Sequence, residues 1–172
     1  MLSLPLSASD PHAFFDAVTP VLVLGLGNIL LQDEGIGVRV VEQLQRDYRI
    51  PDDVEVLDGG TAGMALYEHI IERQHLLVVD AVKTGRPPGT LVTLSGDQVP
   101  AFFRNKVSPH QLALSDILAA LKISGTQLPE LTVVGIEPLN LETGLDLSTT
   151  VTEKIPALLE EVVQQLTTLG YT

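Results

Sequence analysis

Val21 to Val41, VLVLGLGNILLQDEGIGVRVV, changes within about one turn from a buried apolar run to a helical pattern. Val21, Leu22, Val23 and Leu24 form the short aliphatic run of a strand covered on both faces, as in parallel sheets. Gly25 and Gly27 break it. From Glu34 onward, Ile36, Val40, Val41, Leu44 and Tyr48 recur at three- and four-residue intervals, which is one apolar face of a helix packed on the sheet. Asp33 is expected as its N-cap. Asp33 and Glu34 then lie past the carboxyl end of the first strand, where open α/β sheets place their ligands.

Outward from this stretch the same alternation repeats. Val54 to Leu57 reads as a second strand, ending in the loop Asp58-Gly59-Gly60-Thr61. That loop opens a helix from Ala62 to Glu72, with Met64, Leu66, Tyr67, Ile70 and Ile71 apolar. Leu76 to Val79 is a third strand that stops on Asp80, so an acid again follows an apolar run. A turn-rich loop from Lys83 to Gly89 leads to a fourth strand, Thr90 to Leu94, and a polar and aromatic stretch continues to Val107. Ser108-Pro109-His110 reads as an N-cap, a first-position proline and the next residue of a helix through Leu112, Leu114, Ile117, Leu118 and Leu121. Leu131 to Ile136 is the fifth strand, ended by Glu137-Pro138, and Ile155 to Leu169 is a closing helix in which Pro156 marks a late start or a kink. This alternation calls for a right-handed α/β three-layer sandwich, with a mostly parallel twisted sheet of about five strands between helices.

The chain has 172 residues, enough for about one domain. Residues 1–20 are expected to be an N-terminal leader and 21–172 a single domain. They lack the basic start of a signal peptide, and no run reaches the roughly 18 apolar residues a membrane helix needs. The mean hydropathy of +0.28 therefore points to a densely buried sheet. There is no cysteine, which excludes disulfides and thiolate zinc sites and fits a cytoplasmic location. A net charge of -12 repels phosphate backbones and anionic lipid, so neither nucleic acid nor membrane is expected as a partner.

In a flavodoxin-like strand order the first and third strands are neighbours and leave a crevice at their carboxyl ends. Glu34 and Asp80 would flank it, and His110 would begin the helix after the fourth strand on the same edge. Facing carboxylates repel unless one is protonated or a cation lies between them. A Glu, Asp and His set without a further ligand suits an open catalytic or transient metal site, for nickel, zinc, manganese or iron. Each residue also has a structural explanation. Glu34 would complement the helix dipole, Asp80 would cap a turn, and His110 would donate to a nearby carbonyl. Gly59 and Gly60 serve either a tight turn or a backbone N–H cradle for a carbonyl or an anion.

A dinucleotide site is disfavoured, because Leu30 stands where a G-x-G-x-x-G fingerprint needs its third glycine and Asp33 and Glu34 would repel a pyrophosphate. The chain has no P-loop, no G-x-S-x-G and no cysteine nucleophile.

The blocks GLGNILLQDEGIGVRVVE, LDGGTAGM, LLVVDAV and KVSPHQLALSDILAAL, in this order and spacing, resemble the nickel-iron hydrogenase maturation endopeptidases. The resemblance runs from about Val21 to the last helix. It implies a twisted sheet between helix layers and an enzyme that removes a short carboxy-terminal peptide from the nickel-loaded precursor of a hydrogenase large subunit. It also implies that Glu34, Asp80 and His110 are metal-binding positions, and that Asp58 is the acid of a motif associated with cleavage or substrate choice. Asp58, Glu34 and Asp80 are thus the candidate catalytic residues of an aspartyl-type or metal-dependent endopeptidase. The metal would be the precursor's nickel, with other divalent metals able to substitute, the partner would be that precursor, and the enzyme is expected to act as a monomer. A nickel-sensing chaperone that binds the precursor without cutting it is the alternative.

Overall fold

The strand begun at Val21 runs through Gly25, the residue expected to break it, because Gly25 and Leu26 are also buried and paired. β1 spans Val21–Leu26 with all six residues inaccessible. Its side chains alternate, Val21 and Val23 to one face and Leu22 and Leu24 to the other, so both faces require a helical layer. The computed structural model describes residues 18–96, 98–99 and 109–171, with the backbone alone at 109 and 110.

β1 pairs in parallel with β2 (Val54–Gly60) on one side and β3 (His75–Ala81) on the other. β5 (Glu130–Ile136) pairs in parallel with β3, and β4 (Leu91–Ser95) pairs antiparallel with β5, giving the order β2-β1-β3-β5-β4. β4 follows β3 through the Lys83 to Gly89 loop with no crossover helix, so the chain returns in the opposite direction. One face is covered by α1 (Ile36–Asp47) and the carboxy-terminal helix Ile155–Thr168, through Ile36, Val40, Val41, Leu44, Leu158 and Val162. On the other lie the one-turn helix α2 (Tyr67–Ile70) and α3 (Pro109–Ile123), through Ile70, Leu114, Ile117 and Leu121. The three-layer sandwich expected from the alternation is therefore present.

Several boundaries differ from the sequence reading. Asp33 is not the N-cap of α1. It lies in a 3-10 turn, Gln32–Gly35, and Gly35 occupies the cap position with no side-chain bond. β2 and β3 run on through Asp58-Gly59-Gly60 and Asp80, because their parallel partners continue alongside. The expected helix over 62–72 is a 3-10 turn, Gly63–Leu66, followed by α2, and Glu72 ends it at a φ of 67°. Met64 is half exposed, and Tyr48 lies extended beyond α1 rather than on its buried face. A short helix α4 (Thr149–Thr152), capped by Ser148, precedes the last helix, here α5, and Pro156 falls in the first turn of α5, so the late start holds and there is no kink. Residues 1–17 of the expected leader, the stretch at 100–107 and the Ser108 cap lie outside the described residues.

α1 sits directly on strand backbone. A Cβ at Gly37 would lie 2.1 Å from the Val79 carbonyl oxygen and 2.3 Å from that of Leu26, and one at Gly25 would lie 2.4 Å from the Gly37 oxygen. None of these neighbours is a flexible side-chain tip. Gly37→Ala is accordingly expected to lower the unfolding free energy by about 2 kcal/mol, the middle of the overpacking range. Urea denaturation checks this, and an unchanged midpoint would contradict the close seating of α1.

Candidate active site at the carboxyl edge of the sheet

Every parallel strand delivers an acidic or glycine-rich segment to the same edge. Gly25 of β1 is level with Asp58 of β2 and with Val79 of β3, one residue before Asp80. Asp58 and Asp80 therefore flank the end of β1, with backbones roughly 10 Å apart across two strand spacings.

They lie on opposite faces of the sheet. Asp58 continues the alternation of Val54 and Val56, which pack beneath α1. It is exposed, and it lines a cavity of about 130 Å³ with Gly27, Asn28, Ile29, Val38, Gly60 and Thr61. Asp80 continues Leu76 and Val78 on the α3 side and is only 3% exposed. One of its oxygens accepts the Ala81 N–H at 2.8 Å and the other accepts the Gln111 side-chain amide at 2.8 Å.

Glu34 is half-buried in the 3-10 turn before α1. Its backbone crosses the end of β1 so closely that a Cβ on Gly27 would meet the Glu34 carbonyl oxygen at 1.8 Å, and Gly27 has a φ of 128°. Glycine is required there on both counts. The turn is held by its neighbour. Asp33 is fully buried, and its carboxylate accepts the N–H groups of Leu139 and Asn140 at 2.9 Å, the Ser148 N–H at 2.7 Å and the Ser148 hydroxyl at 2.9 Å. The Asp33 N–H in turn donates to the Asn140 carbonyl, and the Gln32 N–H to that of Gly144. This clasp fastens the whole segment between β5 and α4 to the Glu34 turn.

A second buried carboxylate closes the other flank. Glu137, at the end of β5, accepts the Thr84 N–H at 2.6 Å and the Thr84 hydroxyl at 2.7 Å, with Gly85 N–H at 3.4 Å. Burial pushes its carboxyl up, but the Thr84 hydroxyl and the N–H groups of Thr84, Gly85 and Arg86 outweigh this and hold it below the usual glutamate value.

His110 occupies the first turn of α3. Its backbone is adjacent to Gln111, whose side chain reaches Asp80, and its side chain lies outside the described residues. Among the described residues no three His, Asp or Glu side chains stand together as a metal cluster. The structure thus brings Glu34, Asp58 and Asp80 to one edge, and the helix bearing His110 to Asp80. Asp33, Glu137 and Gln111 escape sequence reasoning, because a helix-start acid, a strand-end acid and a first-turn amide all look solvated until their partners, up to 115 residues away, are known.

The family model described as hydrogenase maturation protease matches residues 38–165. Hydrogenase 2 maturation protease of Escherichia coli (strain K12) is 49% identical over 151 residues, 87% of this chain and 92% of that protein. The hydrogenase expression/formation protein HupD of Rhizobium leguminosarum bv. viciae is 41% identical over 87% of this chain and 75% of its own length. Among solved structures, the hydrogenase maturating endopeptidase HybD from E. coli superimposes with a TM-score of 0.83 at 49% identity, covering 88% of this chain and 94% of that one. The maturation protease HybD from Thermococcus kodakarensis has a TM-score of 0.71 at 25% identity, covering 84% and 97%.

Asp33→Asn replaces one acceptor oxygen by an amide nitrogen that opposes its donors, and is expected to cost about 1.5–3 kcal/mol, the range for hydrogen bonds to a charged group. Urea denaturation measures it, and a change within the surface-substitution range of about 0.5 kcal/mol would sink the clasp. For Glu137, the lowered folded-state value makes its stabilisation complete above the usual carboxyl range and lost as pH falls through the lowered value. Stability of Glu137→Gln should therefore fall less steeply than wild type on acidification in that range; parallel pH profiles would refute the assignment.

Proposed function

This chain belongs to the hydrogenase maturation protease family, a family of peptidases, and from that premise we propose that it removes the carboxy-terminal peptide from the nickel-loaded precursor of a nickel-iron hydrogenase large subunit. The observation that carries the reading is the 49% identity over nearly the whole of the E. coli hydrogenase 2 protease. The partner is the folded precursor, the protein works as a monomer, and the setting is cytoplasmic. No helix among the described residues is long and apolar enough to cross a membrane.

The nickel is part of the substrate. Two carboxylates and an imidazole form a donor set suited to a borderline divalent ion, and Glu34, Asp80 and His110 are assigned to receive it. Glu34 and Asp80 stand at the end of β1 and β3, and the first turn of α3 is tied to Asp80 through Gln111. Docking on the nickel makes the metal a checkpoint, since only a loaded precursor is held in place for cleavage.

Asp58 supports the cleaving side of the reading. It lines the cavity at the end of β2 beside Gly60 and Thr61, exposed enough to meet an extended chain. Water attacks the scissile carbonyl there, activated by a carboxylate as general base or by the substrate's metal as Lewis acid. Holding the tail in the cleft aligns the scissile carbonyl with that water, so that the encounter becomes effectively unimolecular.

The test is the intact mass of the cognate precursor after incubation with this protein, in nickel-loaded and nickel-free samples. Loss of a carboxy-terminal peptide from the loaded sample alone is expected. Binding without any loss of mass would favour the non-cleaving chaperone. His110→Ala is expected to abolish nickel binding and processing with the fold intact; processing at the wild-type rate would remove the metal-docking step.

A further inference from the structure

Gln111 bridges the first turn of α3 to the end of β3. It is 4% exposed, in the first turn of α3, next in sequence to His110. Its side-chain nitrogen lies 2.8 Å from one Asp80 oxygen and 3.3 Å from the Ala81 carbonyl oxygen. Both partners only accept, so the amide must present its nitrogen to them and donates both protons. The orientation of the group is therefore set by chemistry, not by choice of assignment.

The other Asp80 oxygen is held by the Ala81 N–H at 2.8 Å. One carboxylate is thereby gripped at each oxygen, from β3 by backbone and from α3 by a side chain. The plane of the Asp80 carboxylate is fixed. Because the amide reaches β3 at two points, the same contact seats the first turn of α3, with residue 110, on the carboxyl end of β3.

We infer that Gln111 is a positioning residue, which preorganises Asp80 and the His110 turn as one unit for the substrate's nickel; the inference rests on the nickel-docking reading above. Outer partners that orient metal-binding carboxylates typically change affinity by about 10–100-fold when removed. A buried amide serving only to satisfy α3 would affect folding and leave metal affinity alone.

Gln111→Met keeps the length and burial of the side chain and removes both donors. The full-length variant and wild type are compared by calorimetric titration with nickel alone, by the visible d–d bands of added cobalt(II), and by urea denaturation. The expected result is nickel binding weakened by about 10–100-fold, with altered cobalt bands that report a changed donor geometry. Equal nickel affinity and superimposable cobalt spectra, whatever the unfolding midpoint, would assign Gln111 a purely structural role and overturn the inference. If the variant does not fold, Gln111→Asn, too short to reach Asp80 but still polar, is put through the same three measurements with the same criteria. Wild-type protein that neither binds nickel nor processes a loaded precursor would overturn the reading beneath the inference, an outcome distinct from wild-type binding that the variant shares.

Discussion

The Asp33 carboxylate accepts four hydrogen bonds while fully shielded from water. A charge in that position is tolerated only because its donors replace the lost hydration. The donors come from a segment more than a hundred residues away, so the bond set joins the two ends of the domain. It fixes the turn that carries Glu34, the loop after β5 and, through Ser148, the cap of α4. Glu137 repeats the device on the other side of β5 by holding the Thr84 turn. Loops at this edge are thus fastened by buried carboxylates as well as by the packing of Val82 and Leu147, while Leu139 and Leu145 stay exposed.

The glycines do the complementary work at the sheet. Gly25 and Gly37 let α1 touch strand backbone, and Gly27 lets the Glu34 turn pass over the end of β1. A helix held at ordinary distance would lift Glu34 away from the strand ends. The turn that carries Glu34 is thus seated directly on strand backbone.

The separation of Asp58 and Asp80 onto opposite faces gives the edge two compartments. On the α1 side lie the cavity and an exposed acid, the features of a place for an extended chain. Towards α3 a buried acid is gripped by backbone at one oxygen and by an amide at the other.

The sequence alone determined the five strands, their alternation with helices and the placing of Glu34, Asp58 and Asp80 at the carboxyl edge of the sheet, because period and apolar runs are local properties. Its motif blocks also carried the family. It did not disclose that Asp33 is a clasp and no cap, that Asp58-Gly59-Gly60 and Asp80 lie inside strands, or that Gln111 grips Asp80. The segment 62–72 showed helical spacing, yet positive φ at Gly63 and Glu72 confines it to short turns. Tertiary structure decided these points for one physical reason. The partner of a buried polar group is chosen by which backbone and side-chain groups the fold brings beside it, and Asp33, Glu137 and Asp80 each have a partner 31 to 115 residues away.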